Sequence, residues 1–286
     1  MFKFFFPDTP TFEEALLLNL AGSIRHGIPG RSRVLSVLTS LLLGTLAGCT
    51  SLVQSLQNQP CDLNAARPYD VVAVDLSRHD LRLFWKDPAG TPFLTLERVR
   101  AWVAARGDSL VAATNAGIYE PGYVPTGLFV EEGIVQNPIN LGDGEGNFFL
   151  KPNGVFFTTD AGAQIVESSQ FAGRNGPVRY ATQSGPLLVS GGTIHPGLTP
   201  GSQNCRLRSG VGVDAAGTVY LVISNGAVNF FDFAVYFKEQ LGCPDALYLD
   251  GAISSLYAPA LGRVEGGAES YAGILGVVAK RNPSPP

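Results

Sequence analysis

The chain has 286 residues, 45% of them hydrophobic and 15% charged, which supports a sizeable core and excludes global disorder. Its formal net charge of -4 gives no basic footprint, so nucleic acid is excluded as a partner class. With 34 glycines and 20 prolines, the composition favours many short strands and turns over long helices.

The first recognisable element is an export segment. Arg31 and Arg33 precede the apolar run from Val34 to Leu43, and Leu46-Ala47-Gly48-Cys49 follows. That is a charged, then apolar, then small-residue pattern. The tetrapeptide resembles a bacterial lipobox, in which Cys49 would become the lipidated first residue. The run is short for a membrane span, so an uncleaved anchor is the lesser expectation. Residues 1–30, with Phe2, Phe4, Phe5, Phe6, Glu13 and Glu14, make an unusually long lead for such a signal. We expect translation to start nearer Arg31. Residues 1–49 are thus read as signal with lipobox, 50–68 as a polar tether, 69–280 as one folded domain and 281–286 as a tail. Cys61, Cys205 and Cys243 allow one disulfide in three pairings, with no spacing suited to zinc.

Within the domain, Asp70–Leu76 and Asp80–Lys86 read as strands and form a plausible opening hairpin, with His79 in its turn. Leu96, Val99, Trp102 and Val103 recur at helical spacing, and Gly107 is a natural stop. Leu110–Thr114 is a short strand running into Asn115-Ala116-Gly117-Ile118-Tyr119-Glu120, where an amide and bare backbone can face a ligand or make an ordinary turn. Gly122 to Val130 is a loop entering a strand, closed by a turn at Glu132-Gly133. Asn140 to Asn147 is glycine-rich and acidic, but lacks the alternating ligands of a calcium loop. Asn153-Gly154 predicts a hairpin.

Ala181 to Val189 carries a polar break at Ser184-Gly185-Pro186, without the spacing of a serine-hydrolase elbow. His195 is a loop histidine with either a structural or an acid–base role. In Cys205 to Asp214, strand geometry would put Arg206 and Arg208 on one face, suited to a phosphate or carboxylate, or to a surface salt bridge. Val219–Ser224 predicts a strand. Asp232 to Leu241 predicts a helix with Asp232 as its cap and Gly242 as its end. The run Ala246 to Leu249 reads as a buried strand that Asp250-Gly251 ends, with Ser254 and Ser255 close behind. Gly273 to Lys280 makes the last strand.

Four blocks together resemble the phosphodiester glycosidase family, in its exported bacterial branch. They are Ala113 to Tyr119, Ala181 to Pro186, Arg206 to Val213 and Leu247 to Ser255. The resemblance covers about Tyr69 to Lys280. It implies an α+β domain with a mixed or antiparallel sheet core, and hydrolysis at a sugar–phosphate linkage in the cell envelope. By motif position, Asn115, Arg208 and Asp250 would line a pocket that Gly117, Ser184, Gly210 and Gly251 shape, with Arg206 and Ser254 beside it. The chain departs from the family at Asn115-Ala116-Gly117 and Asp250-Gly251-Ala252, where a second glycine is usual.

A phosphate leaving group is already acidic, so a cation that neutralises it matters more than a proton donor. Arg208 is therefore expected to stabilise phosphate and Asp250 to act as base or nucleophile, with Asn115 hydrogen-bonding sugar or phosphate. Glu120 and His195 are lesser acid–base candidates. The expected ligand is a phosphorylated glycan, with a divalent cation as an optional cofactor and a lipid anchor to the membrane. The alternative is a non-catalytic envelope lipoprotein that binds an anionic glycan.

Overall fold

The computed structural model describes residues 61, 68–251, 253–264 and 270–280. The export segment with Cys49, most of the tether and the tail lie outside these residues. In chain order the strands and helices begin with β1 (Tyr69–Val74), β2 (His79–Phe84), α1 (Leu96–Ala104), β3 (Leu110–Asn115) and the short pair β4 (Tyr119–Glu120) and β5 (Val124–Pro125). Then come β6 (Phe129–Glu131), β7 (Ile134–Asn137), β8 (Gly154–Thr159), β9 (Gly162–Glu167), α2 (Ser168–Ala172), β10 (Tyr180–Ser184) and β11 (Leu187–Ser190). The remainder is β12 (Thr193–Ile194), β13 (Ser209–Val213), β14 (Val219–Ser224), α3 (Phe230–Val235), β15 (Asp245–Asp250), β16 (Leu256–Tyr257) and β17 (Ile274–Ala279).

These strands form a six-stranded sheet (β1-β14-β13-β15-β11-β12), a five-stranded sheet (β7-β6-β10-β8-β9), a four-stranded sheet (β16-β3-β17-β2) and the β4-β5 ribbon. Every strand pairing among the described residues is antiparallel. The α+β expectation with an antiparallel core is therefore met.

The three large sheets share one apolar core. Leu83 and Leu275 come from the four-stranded sheet, Phe129 and Phe156 from the five-stranded one, and Val211, Leu221, Leu247 and Leu249 from the six-stranded one. Strand alternation gives each sheet a second apolar face, and a helix covers it. Phe233 of α3 packs with Val222, Ala246 and Tyr248. Val99 and Val103 of α1 pack with Ile274 and Val278, and Phe171 of α2 with Val155 and Phe157. Thr95 caps α1 by accepting from the Arg98 amide, and Gly107 ends the segment at φ 73°.

Three local expectations are corrected. β1 and β2 are not a hairpin: β1 pairs with β14 and β2 with β17, in different sheets. Alternation specifies that a segment is a strand, not which strand it pairs with. Asn153-Gly154 is not a hairpin turn either. Asn153 donates to the Phe148 carbonyl at 2.8 Å, and a Cβ at Gly154 would lie 2.5 Å from Leu187, so this glycine permits close packing. The hairpin falls later, at Asp160-Ala161, between Thr159 and Gly162. Finally, α3 starts before Asp232. Asn229 is its cap, accepting from the Asp232 amide at 2.8 Å and donating to the Asp232 carboxylate at 2.7 Å.

Candidate active site

Four strand ends converge, and they belong to the four blocks singled out in the sequence. Asn115 closes β3, Ser184 closes β10, Ser209 opens β13 and Asp250 closes β15. β13 and β15 run side by side with Ser209 opposite Asp250, and the register slips between Ser209 and Gly210. Ser184 Oγ donates to the Leu249 carbonyl at 2.8 Å, tying the end of β10 to β15.

Asn115 is the junction. Its Nδ2 donates to Ser209 Oγ at 2.9 Å and to the Ala116 carbonyl at 3.3 Å. Its Oδ1 accepts from Thr114 Oγ1 and from the Ser255 amide. Ser254 Oγ reaches Ser209 Oγ at 3.1 Å and the Asp250 carbonyl at 2.9 Å. A buried amide with both groups bonded in this way positions segments. Its side chain organises the site from below.

Asp250 is half-buried, and the Gly251 amide donates to its Oδ1 at 2.6 Å. Burial raises its pKa to about 6, against which the Gly251 bond acts only partly. Such a carboxyl is ionised at neutral pH, yet far more basic than a solvated aspartate. It has the character of a general base or nucleophile.

Arg208 is 1% exposed. Its Nε and Nη2 donate to the carbonyls of Val228 and Asn204, each at 2.8 Å, and its guanidinium carbon lies 3.5 Å from the Phe230 ring centre. The Tyr248 ring centre lies 5.7 Å from that carbon. None of the ion pairs among the described residues includes it. Desolvation lowers its pKa to about 10, so it remains a buried cation at neutral pH.

Other expected residues divide between this site and elsewhere. Gly117 lies so close to β10 that a Cβ would sit 2.2 Å from the Gln183 carbonyl oxygen. Gly251 lies equally close to Tyr248, with a Cβ 2.3 Å from its hydroxyl. Gly210 instead faces Phe233 and Phe237 and admits the α3 segment onto the sheet. Arg206 does not share the environment of Arg208: it forms a bridge with Val228, bonds the Cys205 carbonyl and is partly exposed. His195 is buried in its own turn, where Nδ1 accepts from the Gly197 amide at 3.0 Å, and burial lowers its pKa. Glu120 is exposed on the β4-β5 ribbon and accepts from Thr126. No described hydrogen bond joins either residue to Asn115, Ser209 or Asp250.

Sequence reasoning passed over Ser209, Thr114 and Tyr248. Tyr248 carried a signal, because in a strand it shares the face of Asp250 two residues on. Cys61 pairs with Cys205, just before this segment, and Cys243 is a buried free thiol. Among the described residues no group of three or more His, Cys, Asp or Glu could hold a metal ion.

Residues 108–277, which include all four strand ends, match the phosphodiester glycosidase family. Over 177 residues the chain is 37% identical to the uncharacterized protein YigE of Escherichia coli (strain K12), spanning 62% of this chain and 69% of that protein. Among solved structures, the zebrafish N-acetylglucosamine-1-phosphodiester alpha-N-acetylglucosaminidase catalytic domain, auto-inhibited by its pro-peptide, has a TM-score of 0.50 at 13% identity. That match covers 77% of this chain and 86% of the zebrafish chain. A hypothetical protein from Synechocystis has the same TM-score at 16% identity, over 78% of this chain and 61% of its own. At these identities the structural likeness speaks for the fold.

Proposed function

Because the chain belongs to the phosphodiester glycosidase family, we propose that it hydrolyses a sugar–phosphodiester at the bacterial cell envelope, with Asp250 as the reacting carboxylate. One observation carries the reading. Asp250 stands where the four strand ends meet, with a pKa raised to about 6 by burial. In the reaction, water adds across the bond between the anomeric carbon and the phosphate oxygen. The sugar leaves with a hydroxyl and the other product is a phosphomonoester. Asp250 either takes a proton from that water or attacks the anomeric carbon, forming a glycosyl ester that water then cleaves. The buried charge of Arg208 favours the anionic leaving group.

The envelope location rests on the lipobox-like Leu46-Ala47-Gly48-Cys49, and the Cys61–Cys205 disulfide supports an oxidising compartment. The test of the activity is to incubate the soluble domain with sugar-1-phosphodiesters, with and without divalent cations. Free reducing sugar and phosphomonoester should accumulate together. Ligand binding without either product would support a glycan-binding protein instead.

A further inference from the structure

The β4-β5 ribbon, which follows Asn115 in the chain, carries two aromatic rings with no part in the chemistry above. Tyr119 and Tyr123 stack with ring centres 5.6 Å apart and planes inclined by 29°. Tyr123 is 36% exposed, and Val124 beside it 39%. Tyr123 has φ 58°, in the left-handed region where glycine is the ordinary occupant and a bulky side chain an outlier. Such a backbone persists only where its surroundings hold it. Trp85, just beyond β2, donates its indole N–H to the Tyr123 carbonyl at 2.9 Å, and the Tyr123 amide donates to the Glu120 carbonyl at 3.1 Å. Thr126 closes the ribbon, donating its amide to the Ile118 carbonyl and its hydroxyl to the Glu120 carboxylate. The Tyr119 hydroxyl donates to the Ser270 carbonyl at 2.7 Å, which fixes that ring. Glycine would fit this turn with less strain, so the Tyr123 ring is explained by what it meets outside the chain.

The ribbon also sets out from beside the reacting carboxylate. The Ile118 amide donates to Ser184 Oγ at 3.4 Å, and that hydroxyl donates to the Leu249 carbonyl at 2.8 Å. Tyr119 follows Ile118 and Asp250 follows Leu249, so a single serine hydroxyl bridges the two segments. We propose that Tyr119 and Tyr123 form a stacking platform for a second pyranose ring of the substrate, next to the sugar whose anomeric carbon reacts at Asp250. The proposal rests on the sugar–phosphodiester reading and adds a second sugar to its substrate. A pyranose has apolar C–H faces and a hydroxylated rim, which a tyrosine matches with a flat apolar ring and a polar tip. With Tyr119 behind it and its backbone clamped by Trp85, Tyr123 loses little freedom when a ligand stacks on it.

The test measures kcat/KM of the wild type, Tyr123→Gly and Tyr123→Phe on three substrates. One is the methyl diester of a monosaccharide 1-phosphate, the second esterifies that sugar phosphate to another pyranose, and the third is the methyl diester of a disaccharide 1-phosphate. We expect the wild type to prefer a two-ring substrate to the one-ring diester by on the order of tenfold. The preferred substrate tells on which side of the phosphate the second ring lies. Tyr123→Gly should lose the preference and Tyr123→Phe should keep it. The Trp85 bond is to a backbone carbonyl and glycine relieves the left-handed strain, so Tyr123→Gly should melt close to the wild type. A merely structural ring would instead lower the midpoint and leave the preference intact. Should Tyr123→Gly fail to fold, Tyr123→Asn, which also tolerates this backbone, takes its place. No preference in the wild type, or a preference that the ring-deleted variant retains, overturns the proposal and leaves the proposed function standing. If the wild type cleaves no diester, the function falls, and calorimetric binding of the uncleaved two-ring diesters decides on the platform. Tighter binding by the wild type than by Tyr123→Gly supports it, and equal or absent binding rejects it.

Discussion

Asn115 and Ser209 lie 94 positions apart, yet the amide nitrogen of one stands 2.9 Å from the hydroxyl of the other. Through this contact the four-stranded sheet is fastened to the six-stranded sheet at the end where Asp250 sits. Asn115→Ala would leave the Ser255 amide without this partner, while the Ser209 hydroxyl would lose Asn115 but keep Ser254 and the Asp250 carbonyl. An orphaned buried polar group costs about 1–3 kcal/mol. Urea unfolding should therefore show a loss of about 1–3 kcal/mol, with activity lost as well. Unchanged stability with activity abolished would instead mark Asn115 as a substrate contact.

Asp250 gives opposite pH trends for stability and activity. Its pKa is raised from 3.8 to about 6, so the folded state binds its proton more tightly than the unfolded state does. The stabilising effect is complete below the unfolded pKa and is lost as pH rises through about 6. Above that pH the ionised carboxyl is a burden, so Asp250→Asn should gain on the order of 2 kcal/mol at pH 8. Activity should rise through the same window, because the reacting form is the carboxylate. Chemical denaturation of both proteins from pH 4 to 8 measures the first trend. A wild-type stability curve flat across that window, or one rising with pH, contradicts it.

The disulfide gives a third prediction. Cys61 and Cys205 close a loop with a sequence separation of 144, and Cys205 leads directly into the Arg208 segment. Reduction, or Cys61→Ser, should cost about 2–5 kcal/mol. Melting curves with and without dithiothreitol would show it as a lower midpoint. Coincident curves would mean that the bond adds nothing.

Gly117 tests the close approach of two strand ends. An alanine there would put its Cβ 2.2 Å from a backbone oxygen, and the strand carrying that oxygen cannot move freely. Gly117→Ala should cost about 1–3 kcal/mol in urea unfolding. It should also lower activity, since β10 carries Ser184, which holds the end of β15. A variant as stable as the wild type would show that the strands separate easily.

Much of this was legible in the residues. Asp250-Gly251 after an apolar run announced a carboxylate at a strand end, and Leu96, Val99 and Val103 announced the buried face of α1. What alternation left open was partner choice. Tyr69–Val74 and His79–Phe84 read as neighbours, although each pairs with a strand more than a hundred residues away. Charge patterning also misled. Arg206 and Arg208 read as equivalent, but an isolated bridge holds the first at the surface while β13 begins only at Ser209. Ser209 and Thr114 gave no local signal at all, because their roles exist only where distant strands meet.

The most direct measurement is hydrolysis of a sugar-1-phosphodiester by wild type and Asp250→Asn, followed by release of reducing sugar and phosphomonoester. The account predicts that a folded Asp250→Asn loses at least about a thousandfold in kcat, and with it the activity limb near pH 6. A folded Asp250→Asn that releases both products at the wild-type rate contradicts it.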